Sequence, residues 1–391
     1  MTEFIMIKNC EIMEISKTYT VLVSRFIYAM NWYTISPLLI YIAAEFHTSV
    51  NMAGEMIFYF LLGAGIFQIP TGLISYKIGP KLTSVFGMYI IGISTILSSF
   101  STSVEYILLS RFFVGVGAAM FFSPGLAIIK YYADEKSMKK LVGLYNSFFN
   151  FGAGFSVIFF SFFAEYFGWK LSLFLSGILA LVIGLIDHVT LDDFGYKDKI
   201  DFMPIFNKNV ILLGISLGGF WGSQFTSAQI LSYYLETTKH CGSILSGLPS
   251  TILLIAGIFG GISNTYFSSK GDLNKNIIIL TILVSITIIL IPFLPVYLIF
   301  IDAFLLGFFA AADFSLAYYI ISNKSNLNVE TLSLALGTVN SLQIIIGAPA
   351  SIIFSYIFKF NIIFSFLFLG FYCNIFLLIF LIKNKKKLNI L

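Results

Sequence analysis

The sequence predicts an all-α polytopic membrane protein, with twelve transmembrane helices arranged as two pseudo-symmetric six-helix bundles. Three observations carry that expectation. First, of 391 residues 58% are hydrophobic and only 11% charged, whereas a soluble domain carries about 25% charged residues; the mean hydropathy is +0.93. Second, the apolar residues gather into runs close to the roughly 20 residues that cross a bilayer as a helix. Third, the second half of the chain repeats features of the first. The alternation of apolar and polar positions that marks an outer-membrane barrel is absent.

Taken in order, the apolar runs place spans at 19–44, 52–75, 82–100, 106–129, 141–163, 171–189, 210–235, 243–267, 277–293, 296–321, 332–357 and 362–382. Ahead of them, Glu3, Lys8, Glu11, Glu14 and Lys17 interrupt residues 1–17, so no cleavable signal is expected there. The basic residues give the orientation. Of 21 lysines, 18 fall on one side of the spans and only Lys170, Lys239 and Lys359 on the other. The positive-inside bias predicts a multi-pass protein of the cell membrane (plasma or inner) with both termini cytoplasmic. Cys10, Cys241 and Cys373 are isolated from one another, with neither metal-ligand spacing nor a disulfide framework. His47, His188 and His240 fall at span ends. No metal, no cofactor and no nucleic-acid partner is expected; the partners expected are a small-molecule substrate, protons and the lipid bilayer, with the protein a monomer.

Self-comparison supplies the domain organisation. At an offset of 192, Gly65, Ile66 and Phe67 match Gly257, Ile258 and Phe259, and Gly115, Ala118, Ala119, Phe122 and Ser123 match Gly307, Ala310, Ala311, Phe314 and Ser315. At an offset of 194, Gly143, Asn146 and Ser147 fall on Gly337, Asn340 and Ser341. The expected division is a half over 1–189, a charged cytoplasmic linker over 190–209 that holds Asp192, Asp193, Lys197, Asp198, Lys199, Asp201 and Pro204, and a half over 210–391. Parallel six-helix repeats are a transporter architecture, with substrate held near the midplane between them.

Charges inside the spans are the candidate working residues. A guanidinium at a helix centre costs about 2.5–3.5 kcal/mol on insertion scales. Arg25 and Arg111, the only two arginines, both lie within spans. Each either snorkels to the interface or sits in a cavity, where its planar fork suits carboxylate or phosphate. Asp302 and Asp313 are eleven residues apart on the tenth span, close to one helical face; they are the candidates for proton coupling, Asp302 being shallow enough to face water instead. Tyr28, Asn31 and Trp32 beside Arg25, Asn146 and Asn150 on the fifth span, Trp221 and Gln224 on the polar seventh span, and Asn340 and Gln343 on the eleventh complete a candidate substrate lining. Asn146 and Asn340 are equally read as packing hydrogen bonds between helices.

Two motifs resemble a known family. The loop after the second span holds Gly72, Lys77, Gly79 and Lys81. It resembles the gating-loop signature of the major facilitator superfamily, with Tyr76 where that family has an acid. The run from Ile107 through Arg111 to Gly115, Gly117, Ala118 and Ala119 resembles its fourth-helix motif, with Val114 in place of a glutamine, and the turn at Phe167, Gly168, Trp169 and Lys170 is similar to its connection of spans five and six. The resemblance covers essentially the whole chain. It implies a secondary active transporter working by alternating access, not an enzyme; no P-loop or catalytic constellation is found. The two arginines favour a small organic or inorganic anion moved by proton symport. An exporter of amphipathic cations or drugs is the alternative; the Gly-Pro pair of proton-driven exporters is missing from the fifth span, where Asn150, Gly152 and Gly154 stand. A membrane sensor on the same scaffold is the alternative of another class.

Overall fold

A computed structural model describes residues 2–133, 137–195, 207–263, 266–267, 273–324 and 329–384. Outside them fall linker residues 196–206, with Lys197, Asp198, Lys199, Asp201 and Pro204, the second-half loop 268–272, and the lysines at 385–387. Among the described residues the chain is helical, with no strand. The helices are α1 (Thr2–Tyr33), α2 (Leu39–Glu45), α3 (Val50–Ile78), α4 (Pro80–Ser99), α5 (Val104–Tyr132), α6 (Met138–Thr190), α7 (Lys208–Thr238), α8 (Ser243–Ile262), α9 (Leu273–Leu290), α10 (Val296–Lys324), α11 (Val329–Gly347), α12 (Pro349–Phe360) and α13 (Ile362–Asn384).

Helix stands at each of the twelve expected positions, with differences that have local causes. The first span bends: a 3-10 turn at Ser36–Leu38, with Pro37 in its first turn, separates α1 from α2, because proline has no N–H to continue the helical ladder. Pro349 similarly opens α12 after α11. Spans five and six, the two arms of α6, are separate helices that meet at a kink at Gly168, where φ is 79°. A left-handed residue without a Cβ lets the chain reverse there at little steric cost. The eighth span stops at Ile262, short of the expected 267. Nine helical segments among the described residues are long and apolar enough to cross a membrane, the α6 segment counted once. The serines, threonines and glutamines of α7 hold it below that threshold, and α13 is apolar over Ile362–Ile375.

Large apolar side chains such as Leu97, Phe113, Phe259, Ile282, Ile286 and Phe371 point outward, which suits lipid and not water. The helices meet through small residues. A Cβ on Gly63 would overlap the carbonyl of Phe112, and one on Gly115 the carbonyl of Phe60, so α3 and α5 touch backbone to backbone. In the second half, Gly260 abuts the carbonyl of Phe308 and Gly307 that of Leu253, closing α8 on α10 in the same reciprocal way. With no hydrophobic drive between helices in lipid, such close approach supplies the packing. The turn after span one and the turn after span seven also match: His47 and His240, 193 residues apart, are the two non-glycine residues with positive φ among the described residues, at 51° and 54°.

First- and second-half helices meet through hydrogen bonds to backbone carbonyls. Ser341 Oγ donates to Gly65 O at 2.8 Å and Ser351 Oγ to Gly54 O at 3.0 Å, joining α11 and α12 to α3. Thr251 Oγ1 donates to Gly154 O at 3.2 Å, joining α8 to α6. Ser36 Oγ donates to Gln229 O at 2.6 Å, and Gln229 Nε2 to Trp32 O at 2.8 Å, tying the end of α1 to α7.

Candidate anion site along the first helix

Arg25 and Arg111 do not snorkel. Both side chains are buried within the protein, at 3% and 2% exposure. The Arg25 guanidinium is ringed by aromatic side chains: its central carbon lies 4.3 Å from the ring centre of Tyr145, 4.6 Å from Phe149, 4.7 Å from Tyr28 and 5.2 Å from Phe122. Cation–π attraction strengthens when the cation is desolvated, so the rings replace part of the hydration that Arg25 gives up. Its Nε and Nη1 have no hydrogen-bond partner among the described residues.

Arg111 is oriented differently. Nη1 donates to the backbone carbonyl of Asn31 at 3.3 Å, and the group lies 4.5 Å from the ring centre of Phe60. Nε and Nη2, two donors of a fork that suits one carboxylate, have no partner. The ion pairs among the described residues are Lys17–Asp192, Lys81–Asp193 and Lys170–Glu45. Neither buried arginine is ion-paired with a carboxylate among the described residues.

Aromatic contacts connect the two arginines through the middle of α1. Trp32 lies 5.6 Å from Tyr28 and 4.7 Å from Phe60, the ring over which Arg111 sits. From α7, Phe225 reaches Trp32 at 5.7 Å and stacks on Trp221 at 4.9 Å. The site is thus lined from both halves. Gln224 is half-buried one residue before Phe225.

Asn31 is corrected. Its amide is spent on helix packing: Oδ1 accepts from Thr95 and Ser176 hydroxyls, both at 3.1 Å, and Nδ2 donates to Ile27 O at 3.0 Å. What Asn31 offers the site is its backbone carbonyl, which holds Arg111. Asn146 is exposed and joins no contact with Asn340, and Asn150 packs against Gly257 where α6 crosses α8. Asn340 and Gln343 instead form a network across the seam. Gln343 Nε2 donates to Asn340 Oδ1 at 2.8 Å, Asn340 Nδ2 to Gln68 Oε1 at 3.4 Å, and Gln68 Nε2 to Ser123 Oγ at 3.0 Å.

Asp302 and Asp313 are both buried, so Asp302 does not face water. Asp313 is inside the second-half bundle, away from the arginines. Thr281 on α9 donates to its Oδ2 at 2.7 Å, while Oδ1 has no partner; the same threonine's carbonyl takes the Cys373 thiol of α13 at 3.7 Å.

The loop of Gly72, Lys77, Gly79 and Lys81 binds the start of the linker. Gly79 has φ 85° and stands against the carbonyl of Phe194; Lys81 Nζ lies 3.4 Å from Asp193. Lys77 is exposed, and Gly72 faces Leu334 of α11. Beside them Lys17 pairs with Asp192 at 2.6 Å, Tyr132 donates to the same carboxylate at 3.1 Å, and Phe194 stacks on Tyr131 at 4.0 Å. The Lys17 ammonium holds the Asp192 carboxyl below the usual carboxylate range. With Tyr76 in the place of an acid, the carboxylates at this loop come from the linker.

Several site residues gave no sequence signal of their own. Phe60, Phe149, Tyr145 and Phe225 are four among many aromatics, and Gln68 lies alone in an apolar run. Asp187 is buried within α6; its position inside the sixth apolar run was the available clue.

Residues 21–297 match the family model described as Major Facilitator Superfamily. Two uncharacterized MFS-type transporters are similar to the chain. MJ1560 of Methanocaldococcus jannaschii is 28% identical over 149 residues, covering 37% of this chain and 39% of the relative. YceJ of Bacillus subtilis is 24% identical over 297 residues, covering 73% and 75%. The nitrate/nitrite transporter NrtP of Nostoc punctiforme is 25% identical over 245 residues, covering 58% and 48%. The chain therefore spans less than half of the first and third of these relatives as matched. The crystal structure of the nucleoside transporter NupG superposes with a TM-score of 0.74 at 12% identity, over 94% of this chain and 99% of that one, a likeness of fold alone.

Proposed function

Because the chain belongs to the Major Facilitator Superfamily, and is a multi-pass membrane transporter and not an enzyme, we propose that it carries a small anion by alternating access, in symport with protons. One observation carries the choice of anion: two buried guanidinium groups, Arg25 and Arg111, with open donors and no ion pair to a carboxylate among the described residues. Removing a cation from water without a counter-ion is expensive, and a substrate anion is the partner that makes the arrangement favourable.

In this reading the 1–189 and 210–391 halves rock about the arginines, with the termini and the 190–209 linker on the cytoplasmic side of the cell membrane. Opening toward one face breaks the bonds of Ser36 and Gln229 at one end of the site; opening toward the other breaks the Gln68–Asn340 contact. Asp313 takes up and releases the coupled proton. Its side chain is enclosed with one hydroxyl donor, Thr281, and no cation beside it among the described residues, and rearrangement of α9, α10 and α13 exposes it. The drug-export alternative needs acids facing the substrate, whereas Asp313 turns toward Thr281.

The test is uptake into liposomes under an imposed inward pH gradient. Wild-type protein accumulates its anion. Arg111→Lys, which keeps the charge and loses the fork, raises KM at least tenfold. Asp313→Asn abolishes the response to the gradient. If both variants retain saturable uptake and its pH dependence, the assignment of these residues is wrong.

A further inference from the structure

At the end of the bundle opposite the termini, a second tie joins the halves, further out along the chain than the bonds of Ser36 and Gln229. Tyr41 Oη of α2 donates to Ser243 Oγ at 2.7 Å, and Ser243, the first residue of α8, donates to Glu236 Oε1 at 2.5 Å in the last turn of α7. A serine hydroxyl has one proton, so the bonds run from tyrosine to serine to carboxylate. A second carboxylate faces this tie from the first half. Along the antiparallel crossing of α6 and α8, Asn150 packs on Gly257, Gly154 on Thr251 and Ser161 on Gly247. That register brings Glu165, one turn beyond Ser161, opposite Ser243, and Tyr41 lies within electrostatic reach of both Glu165 and Glu236. Neither acid belongs to an ion pair among the described residues. The other charged groups nearby are engaged or turned away. Glu45 of α2 takes Lys170 and the Trp169 indole of α6, and Lys239 donates to Leu294 O at 3.3 Å. His47, His240 and Lys359 of α12 are exposed, and Glu55 of α3 lies with Glu105 in a separate cleft.

We propose that Glu236 and Glu165 form a proton-operated catch on this seam, closed when one carboxyl is protonated and released when both are charged, an inference that rests on the alternating-access reading above. One acid belongs to each half, so two charges repel across the very contact that Tyr41 and Ser243 make. Burial raises the Glu236 carboxyl above its ordinary value and the Glu165 charge adds to the rise, while the Ser243 hydroxyl opposes it. Opening the seam exposes Glu236 and parts it from Glu165, which returns it toward an ordinary carboxylate. The closed seam therefore binds the proton more tightly than the open one. By linkage, lowering the pH on that side closes the seam and raising it opens the seam. In the proposed orientation this is the outer face, so external acid biases the protein toward the inward-open arrangement, the direction a proton symporter must be driven. Glu236 acts at the entrance, apart from Asp313 inside the second-half bundle.

The experiment is hydrogen–deuterium exchange of the full chain in lipid nanodiscs, read by mass spectrometry over residues 236–246 at about pH 4.5 and about pH 7.5. Each variant is compared with wild type at the same pH, so intrinsic exchange cancels. Glu236→Gln keeps an acceptor oxygen and removes the charge; at the higher pH its turn is expected to exchange roughly threefold more slowly than in wild type. Glu165→Gln, at an exposed position, gives the same slowing, and the double variant slows no further than either single one. At the lower pH all three match wild type. Tyr41→Phe, which cuts the tie and leaves both charges, exchanges faster than wild type at both. The catch is overturned if the two glutamine variants match wild type at the higher pH, slow the turn equally at both, or add in the double variant. Residues 76–82, at the opposite end of the bundle, separate this from the transport reading: they exchange faster wherever the outer turn slows. A response of the outer turn alone leaves the catch standing and overturns alternating access.

Discussion

The backbone contact between α3 and α5 is the most exacting feature of the first half. Gly115→Ala adds one methyl carbon, and that carbon would sit well inside the 3.0 Å that real Cβ atoms essentially never breach, against the carbonyl oxygen of Phe60, with Ala64 N at 2.8 Å. Neither neighbour is a flexible side-chain end, so α3 as a whole has to move away by more than an ångström. Overpacking of this kind costs about 1–3 kcal/mol. A glycine-to-alanine change inside a helix also gains about 0.5–1 kcal/mol from propensity, so a control is needed. Gly143→Ala provides it: also within a helix, its added carbon meets nothing within 4 Å. The propensity gain is common to both, and the difference between the two variants isolates the clash at about 1–3 kcal/mol, or five- to more than a hundredfold in the unfolding equilibrium. Reversible denaturation of the two variants in one detergent reads it. Because Phe60 carries Arg111 on its ring at 4.5 Å, Gly115→Ala should also raise KM, and Gly307→Ala, against Leu253 O, should repeat the stability loss without that effect. Equal stability of Gly115→Ala and Gly143→Ala would refute the close contact.

Three more expectations follow from named contacts. Lys17 holds the Asp192 carboxyl below its ordinary value, so the pair's contribution is fully present above the ordinary carboxylate pKa of about 3.9 and is lost as pH falls through the lower folded value. The melting-temperature gap between wild type and Asp192→Asn should therefore hold from neutral pH down to about pH 4 and close below it; a gap that widens on acidification contradicts the pairing. Thr281→Val strands the Asp313 carboxylate without its donor and should cost about 1–3 kcal/mol. Against an Asp313→Leu background the same change should be nearly neutral, as measured by a double-mutant denaturation cycle. Cys241 is half-buried in the turn between α7 and α8, whereas Cys373 is fully buried beside Thr281. A membrane-impermeant maleimide applied to intact cells should label Cys241 and leave Cys373 unreacted; labelling of Cys241 only after permeabilisation would reverse the proposed orientation.

Composition and apolar run length determined most of the architecture, because in lipid a backbone must satisfy its own hydrogen bonds and a long apolar run has helix as its solution. The repeat was legible at Gly115 and Gly307, 192 residues apart, which make equivalent close contacts with the carbonyls of Phe60 and Leu253. Buried arginine was also legible, since a charge inside an apolar run is costly enough to demand an explanation. What the linear sequence leaves open is the rotation of each helix about its own axis. That rotation turned the Asn31 amide into packing while its carbonyl faces Arg111, left Asn146 exposed, and drew Gln68 to Asn340 across 272 residues of chain. It also aimed Asp313 into the second-half bundle. Rotation and neighbour choice are settled by many small contacts between helices far apart in the chain, each worth a fraction of what places a helix in the membrane. Only the assembled bundle decides them.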